Sequence, residues 1–208
     1  AGSFSDDKKQ FIESLKNNWL KASEDLIIQE YGWAPVASDT WNLIVNENDT
    51  GGYAAFVTTG QNPVNGTADV IDMQFDLPDF YAPHTQPTST ADRTVAHEMV
   101  HLMQAQNSYY GDIIGDGGRG TWFKEGLAEF IHGADSDVDN ILDSNSDNFA
   151  ALTSAIGTGN EGWSSAEQYA TGYLAVKYLH SRIQASGQAD GVKHMTTWMK
   201  TQFDTSQG

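Results

Sequence analysis

The chain has 208 residues, with 28 Asp and Glu against 11 Lys and Arg, a formal net charge of −17 and no cysteine. Its length suits one ordinary domain, or two closely packed subdomains, with a core that sustains itself. The charge repels phosphate backbones and anionic lipid, and no apolar run approaches the roughly 20 residues that span a bilayer, so neither nucleic acid nor a membrane is an expected partner. Without cysteine, any metal must be held by His, Asp or Glu. The sequence opens Ala1-Gly2-Ser3 with no Met and no leader, and is expected to be a segment of a longer protein.

Apolar residues at Phe11, Leu15, Trp19, Ala22, Leu26 and Ile27 recur at helical intervals, which predicts a helix up to Tyr31 with Gly32 as its stop. Trp41, Leu43 and Val45 alternate with polar residues, a β-prone run lies between Gly52 and Gly60, and Ile71, Met73, Phe75 and Leu77 alternate with Asp72, Gln74 and Asp76. These read as strands of one small, antiparallel-rich sheet. Pro83 and Pro87 break the chain, and Thr88-Ser89-Thr90 offers N-caps to a long helix through Val95, Met99, Leu102 and Met103.

Residues 107 to 120, rich in Gly and Asp, read as a loop. Thr121 then caps a shorter helix ending near Gly133, and residues 134 to 147 read as an acidic loop. Ser164-Ser165-Ala166-Glu167 is a capping box for a helix carrying Tyr169, Tyr173, Leu174 and Val176, ended by Gly187, and a last amphipathic helix holds Val192, Met195, Trp198 and Phe203. The expected fold class is α+β: one catalytic domain over 1–208, with an α/β part over about 4–106 and a mainly helical part over about 107–208.

The motif His97-Glu98-Met99-Val100-His101 puts two imidazoles four positions apart on the predicted helix, about 40° apart around its axis and one turn apart along it, so both can reach one ion. Zinc favours nitrogen ligands in tetrahedral geometry, and a catalytic site has three protein ligands and a fourth position for water. Glu98 lies about 100° round the helix from His97, where it flanks the ion and can take the water's proton and later protonate the leaving amine. Glu125 is the candidate third ligand: it follows His101 after 23 intervening residues, on the second helix that carries Trp122-Phe123-Lys124-Glu125-Gly126-Leu127-Ala128-Glu129-Phe130. Glu129, one turn further on the same face, is the candidate to accept the free N–H of a ligand imidazole and fix its tautomer. Either carboxylate alone could be a solvated first-turn residue favoured by the helix dipole; the His pair decides for Glu125 and leaves Glu129 open.

From Arg93 to Asp135 the chain resembles the gluzincin metallopeptidases, in which HExxH is followed by a helix whose Glu is the third zinc ligand. Trp122 through Ala128 is similar to the Trp-Leu-Asn-Glu-Gly-Phe-Ala stretch of gluzincin aminopeptidases, whose spacing is shorter. Bacterial collagenases, with a similar Glu-Gly-Gly-Ala-Glu stretch, tolerate a longer loop still. Over nearly its whole length the chain resembles the flagellinolysins, collagenase-related peptidase domains inserted in the variable region of bacterial flagellins. Phe11 through Leu15, Trp19-Leu20-Lys21, Ile71-Asp72-Met73, Ala96 through His101, and Trp122 through Asp135 carry that likeness. The resemblance implies a zincin-like fold, with a mixed sheet packed on the HExxH helix and a cleft between it and the later helices. It also implies a zinc-dependent endopeptidase of protein or peptide substrates, displayed outside the cell on a flagellar filament as part of a longer flagellin chain.

An oxyanion donor is sought in Tyr169, because Tyr169-Ala170-Thr171-Gly172 resembles the Tyr-x-x-Gly of gluzincin aminopeptidases; Tyr173, Tyr109 and Tyr110 compete. The strand at 68–77 is the candidate edge for a substrate added as a further strand. Calcium is a further candidate cofactor, at Asp135, Asp137, Asp139 and Asp143 or at Asp112 to Asp116. His132, two turns beyond Glu125, is read as too far to join the metal and as a partner of its helix C-terminus, while His84, His180 and His194 have no partner pattern. Two alternatives are a zinc aminopeptidase, against which the missing Gly-Ala-Met-Glu-Asn signature counts, and a binding insert that keeps a metal site without turnover.

Overall fold

The structure is a computed structural model that describes residues 5–37, 40–48, 52–61, 68–80, 91–115, 120–153 and 166–207. Helix formation starts ahead of the apolar stripe: Ser5 caps α1 (Asp6–Ser14) by accepting the Lys8 N–H, and Asp6 and Asp7 sit in the first turn, where the helix dipole favours them. A π-helical turn, Leu15–Trp19, leads into α2 (Leu20–Tyr31). Phe11, Leu15, Ser23, Ile27 and Tyr31 are all buried. Their spacing in fours drifts about 40° per step on an ideal α-helix, and the wider π turn takes up part of that drift. Gly32 closes α2 in the left-handed conformation, φ 70°, with its N–H on the Ile28 carbonyl.

Strands β1 (Trp41–Asn46), β2 (Ala55–Gln61) and β3 (Ala68–Asp76) form one sheet in the order β1-β3-β2, with β1 parallel and β2 antiparallel to β3. The sheet is thus mixed, not antiparallel-rich. Strand β3, the expected substrate edge, is central and has both sides paired, so it cannot accept an added strand; among the described residues β2 is an edge. Ile71, Met73 and Phe75 alternate into the core, where Phe75 meets Phe11 and Phe80 edge to face, at 5.4 and 5.7 Å.

Helix α3 (Ala91–Asn107) is the centre of the molecule, packed by β2 and β3, by α2 and by α5. All but a few of its residues are buried, polar Glu98, His101, Gln104, Gln106 and Asn107 among them. Its expected caps at Thr88 to Thr90, with Pro83, His84 and Pro87, lie outside the described residues. The segment after it contains a short helix, α4 (Tyr110–Gly115), where a loop was expected. Gly120, not Thr121, is the N-cap of α5 (Thr121–His132), and Gly133 ends it as expected.

The acidic segment expected as a loop, and as a calcium loop, is helix α6 (Asp135–Ser144). Asp135 and Asp137 favour its N-terminus, and Val138, Ile141 and Leu142 turn one apolar face onto Ala170, Tyr173 and Leu174. Two of its four candidate calcium ligands have basic partners: Asp135 pairs with Lys177 and Asp137 with Arg93. The Asp112 to Asp116 candidate falls outside the described side chains. Helices α7 (Ala150–Thr153), α8 (Ala166–Ala185) and α9 (Val192–Gln207) complete the chain, and Ser164 and Ser165 of the expected capping box lie outside the described residues. The main core joins the sheet, α1 to α3, α5, Val176 of α8 and Val192 of α9. No described helix is long and apolar enough to cross a membrane.

Candidate metal centre

Packing of α5 against α3 sets Glu125, one turn into α5, over the His97 and His101 side chains, which project one turn apart from α3. His97 Nε2 lies 3.1 Å from His101 Nε2 and 3.2 Å from Glu125 Oε2, and the third side, His101 Nε2 to Glu125 Oε2, is 3.0 Å. Three hydrogen bonds cannot close such a triangle, because each imidazole N–H points along its ring at one partner. A tetrahedral zinc ion with bonds of about 2.0–2.1 Å holds its ligand atoms about 3.3 Å apart, close to all three sides. The two-nitrogen, one-oxygen donor set and its near-equilateral spacing therefore fit zinc.

The atoms turned away from the triangle are also engaged. Glu129 Oε1 lies 3.0 Å from His97 Nδ1, and Lys124 Nζ lies 2.6 Å from Glu125 Oε1, so Glu125 is left with Oε2 facing the imidazoles. Glu129 Oε2 in turn lies 3.3 Å from His132 Nε2. His132 thus lies in this cluster through Glu129, where its helix C-terminus was the expected partner. His101 Nδ1, by contrast, is buried without a hydrogen-bond partner among the described residues. Among those residues a second group, His97, Glu129 and His132, is also close enough together to hold a metal ion.

Burial opposes charge at every one of these groups, and the neighbours decide which keep it. Burial works against the His97 imidazolium, but its hydrogen bonds to Glu125 and Glu129 and the Glu98 charge outweigh it and lift His97 to about 10. His101 goes the other way, held by burial at about 4 despite Glu125. Burial would raise Glu125, yet His101, His97 and Lys124 hold it well below the usual carboxylate range. In the metal-free site the charged imidazole is therefore His97 and the neutral one His101. Glu98, buried and with Oε2 unpartnered among the described residues, is lifted to about 7 mainly by desolvation.

A cavity of about 390 Å³ opens onto His97, Glu98, His101 and Glu125, and Tyr169 and Tyr53 line it. A second, of about 300 Å³, adjoins it along His97, Glu98 and Tyr169. The Tyr169 ring lies 5.9 Å from that of His97, and burial first, then the surrounding carboxylates, raise its hydroxyl well above the usual tyrosine range. Of the competing tyrosines, Tyr173 packs on Phe130 and Tyr109 on Phe203 of α9, while Tyr110 is buried. His180 packs on Phe130 and accepts the Val192 N–H, and His194 is exposed on α9.

All six residues singled out from the sequence, His97, Glu98, His101, Glu125, Glu129 and Tyr169, thus meet at one place. Lys124, Tyr53 and Arg93 belong to the same neighbourhood and were not foreseen; Lys124 stands next to Glu125 in the sequence, but nothing in its spacing says which carboxylate oxygen it takes. No curated protein and no solved structure matches the chain. A family model described as collagenase, peptidase family M9, matches residues 80–205, which include every one of these site residues except Tyr53. The match covers well over half of the sequence, and the chain belongs to this collagenase family of zinc-dependent metallopeptidases.

Proposed function

We propose that the chain is a gluzincin endopeptidase that cuts internal bonds of extracellular proteins, with zinc held by His97 Nε2, His101 Nε2 and Glu125 Oε2. The observation that carries the reading is the 3.0–3.2 Å triangle of those three atoms beside a buried Glu98 carboxylate oxygen that has no partner among the described residues. Bound zinc supplies Lewis-acid activation of a water molecule and of the scissile carbonyl. Glu98 takes the water's proton and passes it to the leaving amine. Tyr169, whose hydroxyl keeps its proton, donates a hydrogen bond to the oxyanion that develops on the substrate. Lys124 and Glu129 hold Glu125 and His97 in their orientations.

Substrate lies along β2. That strand is an edge, and its Ala55, Phe56 and Val57 line the cavity over His97 and Glu98, so an extended peptide can hydrogen-bond to the strand and present alternate side chains to the two adjoining cavities. The flagellinolysin likeness supports a domain carried in a longer flagellin and displayed on the filament. The test is incubation of the zinc-loaded protein with a denatured proteome and mapping of the cuts by mass spectrometry. Internal cuts that vanish with Glu98→Gln are expected. Products shortened one residue at a time would turn the reading to an aminopeptidase, and a flat profile to a binding domain.

A further inference from the structure

Beyond Glu129, the hydrogen bonds continue outward in one direction. Arg93, one turn before His97 on α3, points its Nε at His132 Nδ1, 3.3 Å away, and its Nη2 at Asp137 Oδ2 of α6, 2.9 Å away, and at the Gly133 carbonyl, 3.4 Å away. His132 Nε2 faces Glu129 Oε2 at 3.3 Å, and Glu129 Oε1 faces His97 Nδ1 at 3.0 Å. The His132 and Glu129 side chains are only 9 and 13% exposed, which shields these contacts from competing water.

Proton accounting fixes the direction of every bond. A guanidinium has donors only, so His132 Nδ1 must accept, and a neutral imidazole that accepts at Nδ1 carries its proton on Nε2. That Nε2–H faces Glu129 Oε2. The Glu129 carboxylate accepts on both oxygens, and its Oε1 takes the His97 Nδ1–H. Because Glu129 holds the Nδ1–H, the proton that His97 gives up to a bound ion is the one on Nε2, which leaves the lone pair on the atom that faces His101 and Glu125.

We infer that Arg93 and His132 are positioning residues for the metal: the chain Arg93–His132–Glu129 sets the tautomer and ring orientation of His97 from outside the site. This rests on the assignment of His97, His101 and Glu125 as the zinc ligands. The same bonds speak against the second cluster as a metal site, since His132 offers that cluster an N–H and has its lone pair occupied by Arg93. Asp137 anchors the guanidinium but adds no donor to His132, so the ion pair and the relay can be separated by substitution.

The test uses the whole protein, loaded with one equivalent of zinc. Long-range ¹H–¹⁵N spectra of the wild type read the imidazole tautomers directly, and chelator competition reads zinc affinity. Expected are an Nε2–H tautomer at His132 and an Nδ1–H tautomer at His97. Arg93→Met and His132→Phe should each weaken zinc binding by roughly 3- to 30-fold, at or below the range for direct supporting partners of a ligand. Asp137→Asn, which breaks the ion pair and keeps the Arg93 Nε donor, should bind within about twofold of wild type, and His132→Gln, which keeps a donor for Glu129, should recover most of the loss. An Nδ1–H tautomer at His132, wild-type zinc affinity in both Arg93→Met and His132→Phe, or a second tightly held zinc lost with His132→Phe would each overturn the relay while leaving the ligand triangle intact. A wild type that binds no zinc would overturn the triangle and the relay together.

Discussion

Replacing Gly126 by Ala tests whether α5 and α8 are as close as the site requires. A Cβ at 126 would lie 2.4 Å from the Gly172 carbonyl oxygen, 2.7 Å from its carbon and 2.8 Å from Val176 Cγ2, where ordinary contact begins at 3.4 Å. The obstacle is mainly backbone, so the helices must separate by roughly 1 Å or the site must strain, at about 1–3 kcal/mol. Better helix propensity returns about 1 kcal/mol, leaving a net loss of up to about 2 kcal/mol and a Tm lower by up to about 8 °C. Function should suffer more, because α8 carries Tyr169 and a misplacement of about 1 Å can cost about 100-fold. We expect kcat/KM to fall about 10- to 100-fold while bound zinc stays near one per chain, since the ligands lie on α3 and α5. Calorimetry, peptide kinetics and metal analysis on one preparation measure all three. A variant that melts and cleaves like the wild type would refute the close packing, and one that loses its zinc would refute the division between ligand helices and donor helix.

Glu98→Gln should abolish cleavage without changing zinc content; cleavage at the wild-type rate would remove Glu98 from the mechanism. Glu125→Ala should lose tight zinc, whereas Glu129→Ala should weaken binding or activity by roughly 10–100-fold and refill at high zinc; the reverse order in a chelator competition would mean that the third ligand is misassigned. Zinc affinity should rise about tenfold per pH unit between about pH 6 and 9 and level off above about 10, because zinc must displace the Nε2 proton of His97, which faces Glu125, while the Nδ1 proton stays on Glu129. The same raised value makes a signed prediction for the metal-free protein: the stabilisation from His97 is full below its ordinary 6.5 and is lost as pH rises through about 10, which urea melts across that range can follow. Lys124→Met frees Glu125 Oε1 and should weaken zinc by about tenfold; unchanged affinity would make Lys124 a bystander.

What could be read from the sequence is what depends on local periodicity. Two His four apart must share a helix face, and Glu125 and Glu129 likewise, so one ion-sized meeting point follows once two helices pack. Strand order is a tertiary fact: the alternation that marks 68–76 as a strand is the same for a central strand as for an edge, and the substrate edge was placed one strand away from β2. Helix α6 was hidden by composition, although Val138, Ile141 and Leu142 carry the i, i+3, i+4 signal inside the Asp- and Asn-rich run. The contact of Arg93 with His132 crosses from α3 to α5 and depends on how those helices pack, so spacing along either could not show it; Lys124–Glu125 and His132–Glu129 lie within α5, where spacing brings the residues close but does not say which oxygen each takes.

The most direct test of the account is anomalous diffraction at the zinc edge from crystals of the zinc-loaded protein. One peak is predicted, about 2.0–2.2 Å from His97 Nε2, His101 Nε2 and Glu125 Oε2, with Glu129 still on His97 Nδ1. A peak bound instead by Glu129 and His132, or no peak in protein that cleaves peptides, would contradict the assignment of these three residues as the metal site.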